Sequence, residues 1–334
     1  MNEKNTTPKT LLEATRFFSD ANVATEFFAK MRWPNGVVCP NCGSTNVLHL
    51  PNQRRWKCRE KHERCQFSAK TGTIFEESPL GMDKWLVAIW CITNAKNGIS
   101  SCELARAIGI TQKSAWFMLH RVRHAMHTGS FEKFVGSVEA DESYIGGAAE
   151  NMHAHRRKAR IKSPGVAGKD IVQGILKRDS DCSKVIARVV PDGKRPTLTK
   201  NIRECVEPGS ILYTDTHPSY FKLHEEYLHA MIDHAIAYVA GNVHTNGLEN
   251  FWSLLKRTIG GTYVSVDAPH LCRYVDEQVF RFNERKTDDA GRFAIVMPKV
   301  IGKRITYKEL IGDDAVEGLT ASEGNAAGGS GELC

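Results

Sequence analysis

The sequence predicts a multidomain α+β protein: a small cysteine module near the N-terminus, then a helical segment, then a mixed α/β domain. Three observations carry that prediction. Four of the ten cysteines, Cys39, Cys42, Cys58 and Cys65, crowd one short stretch, while Cys91, Cys102, Cys182, Cys205, Cys272 and Cys334 stand singly. From Met82 to Met126 apolar residues recur at helical spacing, and after Gly136 they fall into short β-type runs. The chain of 334 residues has room for more than one core, since a single core organises roughly 100 to 200 residues.

Composition excludes several classes. With 41% hydrophobic and 25% charged residues the chain is neither wholly disordered nor a fibrous repeat. No run approaches the roughly 18 to 20 apolar residues of a membrane helix, and MNEKNTTPKTLLEATRFF lacks the apolar core and cleavage site of a secretory leader. A cytoplasmic protein with no membrane partner is expected. The net charge of +7 and pI near 8.8 favour contact with a polyanion.

Residues 1–32 form an N-terminal helical segment, because apolar positions from Thr10 to Met31 keep helical spacing until Trp33-Pro34-Asn35-Gly36 breaks it. Residues 33–76 hold the cysteine module. Cys39-Pro40-Asn41-Cys42-Gly43 sets two thiolates on a tight knuckle, where backbone amides steady the sulfurs and Zn²⁺ takes two corners of its tetrahedron. This is a zinc-ribbon signal, with Cys58 and Cys65 able to supply the other two ligands. Their seven-position separation exceeds the usual two-residue gap, so His62 stands as a rival ligand. A module with Trp56 and Phe67 but little other core needs such a staple.

Residues 80–128 contain three helical stretches, KWLVAIWCITNAK, SSCELARAIG and TQKSAWFMLHRVRHAM. The last two, joined at Gly109, resemble a helix-turn-helix whose second helix would present Gln112, Lys113, His120, Arg121 and Arg123 to DNA. A helical bundle with a solvated basic face is the lesser alternative. Residues 132–300 give three strands (SVEADESYI, DIVQGILKR, KVIARVV), a helix from Thr197 to Val206, the strand ILYTD, and helices at Gly247–Thr258 and Ala268–Arg285. Residues 301–334 are expected to be a disordered tail, being rich in Gly, Ala, Ser and acids from Asp313 onward.

Within the α/β domain three carboxylates attract notice. Asp141 and Asp215 each end a strand-like run beside a turn, where neighbouring strands would let them share a divalent metal. Glu249 lies on a helix with Leu248, Phe251, Trp252, Leu255 and Ile259 at three-to-four spacing, and Lys256, two turns on, shares its face. Glu142 adjoins Asp141, and Glu139 shares a face with Asp141 by strand alternation and competes for its role. The run His155-Arg156-Arg157-Lys158-Ala159-Arg160-Ile161-Lys162 adds cations after the first strand.

The succession CPNCG, FSAKTGTIFEESPL, KSAWFMLHRVR, VEADESYIGG, YTDTHPSY, HTNGLENFWSLLKR, GTYVSV and RYVDEQVFRFNER resembles the insertion-sequence DDE transposases with an N-terminal zinc ribbon, of the ISXO2-like (IS1595) type. The matching segments run from about Trp33 to Arg285. The resemblance implies a ribonuclease-H-like catalytic domain with Asp141, Asp215 and Glu249 as catalytic acids on Mg²⁺ (or Mn²⁺) and Lys256 as the associated basic residue, a cation for phosphate. It also implies cleavage of element ends, joining of the 3′-OH to target DNA, and a homodimer or higher oligomer on double-stranded DNA. Some relatives carry Asn in the third place, which keeps Asn246 and Asn250 in view. Lys256 and Arg257, with Arg156, Arg157 and Lys158, are expected on phosphates, and the protein to be nucleoid-associated. Two other readings remain: a ribonuclease-H-like nuclease without strand transfer, and a zinc-ribbon, helix-turn-helix regulator with a degenerate catalytic domain.

Overall fold

The computed structural model describes residues 7–127, 132–146, 168–179, 181–216, 218–232 and 245–312. The chain forms two compact units. Among the described residues, one unit joins 7–126 to 287–312, and the other lies within His127–Lys286.

In the first unit the N-terminal segment is two helices, α1 (Leu11–Phe17) and α2 (Ala21–Arg32), where the apolar spacing alone predicted one. Asp20 makes the break: its carboxylate accepts from the backbone N–H groups of Asn22 at 2.6 Å and Val23 at 3.2 Å, capping a new helix. The cysteine module contains three short antiparallel strands, β1 (Val47–Leu50), β2 (Arg55–Cys58) and β3 (Gln66–Phe67), in the order β1-β2-β3. Its core is aromatic. The rings of Trp33 and Trp56 meet edge to face at 5.3 Å, and Phe67 stacks on Trp56 at 6.1 Å. Helices α3 (Met82–Asn94), α4 (Ser101–Ile108) and α5 (Gln112–Met126) follow, with Gly109 ending α4.

The sequence reading carried the catalytic domain to residue 300 and left 301–334 as a tail. The structure instead closes the second unit at Lys286 and packs residues 287–312 into the first. Phe293, on the helix Asp289–Val296, lies 5.7 Å from the ring of Phe18 and 5.3 Å from that of Trp90, and Ile305 and Leu310 are buried. A capping box at Thr306 and Glu309 starts the short helix Tyr307–Ile311. Residues 313–334 lie outside those described.

The second unit is built on one five-stranded sheet: β4 (Ser137–Ile145), β5 (Asp170–Lys177), β6 (Lys184–Val190), β7 (Ile211–Asp215) and β8 (Leu228–Ile232), in the order β6-β5-β4-β7-β8. The first three strands pair antiparallel, and β7 and β8 add in parallel. Edge strand β8, where Leu228 and Met231 are exposed, lacks the periodic burial that reveals a strand and was not legible in the sequence. Helix α6 (Arg195–Cys205) covers one face through Leu198 and Ile202 against Val138, Ala140 and Leu212. Helices α7 (Asn246–Thr258) and α8 (Leu271–Asn283) cover the other, where Leu248, Phe251, Trp252, Leu255 and Val275 meet Val172, Leu176 and Val185. Asn283 finishes the β6 edge, its amide accepting from Val185 N at 2.8 Å and donating to Val185 O at 2.9 Å.

Close approach of α7 depends on Gly174, the register partner of Asp141 on β5. A Cβ there would stand 2.7 Å from Trp252 Cζ2 and 2.8 Å from Leu248 Cδ2. Gly174→Ala is therefore expected to lower stability by about 1–3 kcal/mol, the usual cost of overpacking a filled core, read as a fall in the denaturant midpoint at unchanged m-value.

Candidate functional site

Strand register brings the first two acids together. The offset that pairs Ser137 with Ile211, Val138 with Leu212 and Glu139 with Tyr213 across β4 and β7 carries Asp141 to the level of Asp215. Both are partly buried. Asp141 is also tied to α7, because the indole N–H of Trp252 donates to its Oδ2 at 2.9 Å. Glu249 precedes Trp252 by one turn and Lys256 follows it by one turn, so both share the helix flank that reaches Asp141. Each of these two side chains is exposed. The three acids do not close into a tight cage: among the described residues, the one group of metal-binding atoms lying within 4.8 Å of one another belongs to the ribbon. Acids that share two ions roughly 4 Å apart need not touch one another.

The neighbouring acids divide by strand alternation. Glu142 points to the opposite face, where the phenol of the buried Tyr220 donates to it. Burial, reinforced by the charges of Asp141 and Asp215, pushes the Glu142 carboxyl up to about 8, against the opposing pull of the Tyr220 bond. Burial and the same three acids hold the Tyr220 phenol well above its ordinary value. Asp141, expected to end its strand, instead lies in the middle of β4, level with Asp215 at the end of β7, and these two hard carboxylates are a donor type that suits Mg²⁺ or Mn²⁺.

Glu139, the rival for Asp141's role, has other work. It is 1% exposed, accepts from Arg178 Nε at 2.7 Å, and accepts from Leu248 N at 2.9 Å in the first turn of α7. A carboxylate at a helix N-terminus satisfies an orphan donor and meets the positive end of the dipole. Gly247 makes room for it, since a Cβ there would fall 2.9 Å from Glu139 Oε2. Glu139 thus docks α7, and with it Trp252 and Glu249, onto β4. Glu139→Ala would strand the Arg178 guanidinium and uncap α7, and a loss of about 3–5 kcal/mol is expected in chemical denaturation. A variant as stable as the parent would show that the pair docks nothing.

The ribbon offers a second donor set. Cys39, Cys42, Cys58 and His62 place one ligand atom each within 4.8 Å of the others. Cys39 Sγ lies 3.5 Å from His62 Nε2, and Cys42 Sγ lies 3.6 Å from Cys58 Sγ. Tetrahedral zinc with bonds of about 2.3 Å to sulfur and 2.0–2.1 Å to nitrogen requires edges of roughly 3.5–3.8 Å, so the set fits Zn²⁺. The cluster takes in His62, the rival ligand, in place of Cys65, the expected fourth. Cys65 stands outside the cluster and contributes its backbone, its carbonyl accepting from Cys58 N at 2.7 Å, while the loop after β2 turns His62 inward.

Comparison with known proteins places both sites in a family. The ISXO2-like transposase domain matches residues 133–283, spanning Asp141, Asp215 and Glu249, and the transposase zinc-ribbon domain matches residues 19–66, spanning Cys39, Cys42, Cys58 and His62. The chain is 38% identical over 101 residues to an "uncharacterized transposase-like protein" of Haemophilus influenzae, covering 30% of this chain and 81% of that protein. This chain belongs to the ISXO2-like transposase family. It is also 26% identical over 246 residues to an "uncharacterized protein in transposable element ISH50" of Halobacterium salinarum, covering 70% of this chain and 81% of that protein. Among the described residues of this transposase, no helix is long and apolar enough to cross a membrane.

The basic residues expected on DNA part company in the structure. Gln112 and Lys113 are exposed at the start of α5, Gln112 Nε2 donating to Ser101 Oγ at 2.8 Å and Lys113 Nζ standing 4.7 Å over the Tyr307 ring. Arg121 and Arg123 are not on the outer face, and neither is His120: all three are buried. Arg121 donates to the carbonyls of Ile74 at 2.9 Å, Glu76 at 2.8 Å and Ile305 at 3.2 Å, stitching loops of its own unit together. The returning segment after Thr287 covers this part of α5, which local sequence cannot reveal. Arg257 is exposed on α7, and Arg156, Arg157 and Lys158 lie outside the described residues. Sequence reasoning missed the Trp252 contact and both roles of Glu139. The clue was available in an acid and an indole at matching heights on a strand and a helix that share an apolar face.

Proposed function

We propose that this transposase cuts the ends of its element and joins the freed 3′-OH to target DNA, with Asp141, Asp215 and Glu249 as the acids of one metal-dependent active site. The reading rests chiefly on the alignment of Asp141 with Asp215 on adjoining parallel strands, with Trp252 binding Asp141 to the helix that carries Glu249 and Lys256. The strand order, three antiparallel strands followed by two parallel ones, supports a ribonuclease-H-like domain. Bound Mg²⁺ or Mn²⁺ would activate the attacking oxygen and stabilise the leaving one. The chain's own part is positioning. Asp141 and Asp215, on the two interior strands β4 and β7, hold the reacting phosphate's counter-charge, the Trp252 bond fixes the orientation of Asp141, and Lys256 and Arg257 hold the flanking backbone.

DNA recognition is assigned to the first unit. Helices α4 and α5 form a helix-turn-helix with a short reading edge, Gln112 and Lys113, because the second half of α5 is covered. The ribbon, stapled by Zn²⁺ on Cys39, Cys42, Cys58 and His62, adds a rigid contact, and a dimer on DNA would pair two ends. The test is incubation of the purified chain with element-end DNA and a target plasmid in Mg²⁺. Joined products are expected; cleavage without joining would make the protein a nuclease, and binding without cleavage a regulator.

A further inference from the structure

We propose that Val264 is an apolar wedge that enters the base stack of a duplex held along α7, beyond Lys256 and Arg257 and about 20 Å along the helix from Glu249. The inference rests on the reading of this chain as a DNA transposase and adds to it a residue that deforms the substrate. Helix α7 ends in a π-helical turn, Ile259–Tyr263, a rare conformation concentrated at functional sites. Val264 follows with φ 63° and ψ −52°, and Ser265 N donates to Tyr263 O at 2.7 Å. This is the three-residue turn in its strained, positive-φ form, at a β-branched residue that the conformation suits poorly. No packing compensates, because the Val264 side chain is 79% exposed.

Strain without packing points to a use outside the folded core. The base of the turn is firmly held: Tyr263 Oη donates to Glu277 Oε1 at 2.6 Å, and its ring meets Tyr274 edge on at 4.7 Å. Val264 is therefore presented on a fixed support. Beside it a Cβ on Gly260 or Gly261 would meet nothing within 4 Å, so the main chain forms a bare ledge that a sugar-phosphate backbone can approach. Lys256 and Arg257, exposed in the last turn of α7, supply cations for the phosphates. A single apolar tip among cations, glycines, Ser265 and Asp267 is too narrow for a protein interface, whereas a DNA base step admits one apolar side chain when the duplex is kinked.

The experiment uses the full chain and element-end duplexes with a single 2-aminopurine at successive steps out to about eight base pairs from the cleavage site, since Val264 lies about 20 Å along α7 from Glu249, and compares the parent with Val264→Gly, Val264→Asp and Val264→Leu. Fluorescence is read in Ca²⁺ and cleavage in Mg²⁺. Val264→Gly is expected to melt no lower than the parent and to bind DNA within about threefold, as phosphate contacts are untouched. It should lose the 2-aminopurine rise and cleave about tenfold more slowly or worse, as should Val264→Asp, whereas Val264→Leu keeps both. The wedge is overturned if the parent shows no fluorescence rise, if Val264→Gly matches the parent in both readouts, or if it loses them only by melting early. A parent that binds and unstacks DNA but never cuts it would sink the proposed reaction and leave the wedge standing.

Discussion

Asp141→Ala and Asp215→Ala proteins are expected to lose strand cleavage and joining by about 10³-fold or more, because each removes an acid proposed as a metal ligand on which every later step would depend. Affinity for element-end DNA should change little, since the contacts assigned to Gln112, Lys113, Lys256 and Arg257 remain. Asp215→Ala should also melt no lower than the parent in metal-free buffer, whereas Asp141→Ala removes the acceptor of the buried Trp252 indole N–H and should lose about 1–3 kcal/mol. Burial, with the charges of Asp141 and Asp215 behind it, raises the Glu142 carboxyl to about 8, so deleting the Asp215 charge lets that carboxyl move back toward its ordinary range without opening the core. Activity lost from an equally stable protein separates a catalytic acid from a structural one. Asp141→Asn sharpens the comparison, as its amide oxygen can still accept from Trp252 Nε1, the donor now 2.9 Å from Oδ2. If either alanine protein cuts DNA at near the parental rate, the proposed site is wrong.

How far the sequence foretold this site depended on whether the relevant contacts were local. The strand SVEADESYI could be read because alternation and β-branched residues act within one segment, and the equal offset of Asp141 and Asp215 followed once β4 and β7 were neighbours. Arg121 and Arg123 defeated the same reasoning. Their burial is imposed by residues such as Ile305, far along the chain, and a basic helix face looks identical whether water or a distant loop covers it. The division at Lys286 was hidden for a related reason: the helix Asp289–Val296 carries an ordinary apolar stripe, and only Phe18 and Trp90 reveal which core it fills. Glu139 was recognised as a residue sharing Asp141's face, but nothing local distinguished a metal ligand from a helix anchor. The distinction came from Arg178 and from the N-terminus of α7, which arrives beside it only in three dimensions.

His62→Ala is expected to release the ribbon zinc, whereas Cys65→Ser is expected to retain it, reversing the assignment that cysteine counting alone gives. The seven-position gap from Cys58 to Cys65 is too long for the knuckle that Cys39 and Cys42 make. The chain meets the gap by placing His62 Nε2 3.5 Å from Cys39 Sγ and leaving Cys65 to accept from Cys58 N through its carbonyl. A serine at 65 keeps that carbonyl. An alanine at 62 leaves three thiolates, an incomplete tetrahedron for a metal whose binding stabilises small ribbons by on the order of 10 kcal/mol. The apolar contacts among Trp33, Trp56 and Phe67, worth about 0.5–1.5 kcal/mol for each aromatic pair beyond area burial, cannot replace it. Chelation of the parent or His62→Ala should therefore open residues 33–67 to protease while the sheet of the second unit keeps its amide protection. Zinc measured at one equivalent in Cys65→Ser and well below one in His62→Ala would establish the Cys₃His site. The opposite pattern would restore Cys65 as the fourth ligand and require the loop after β2 to be refolded.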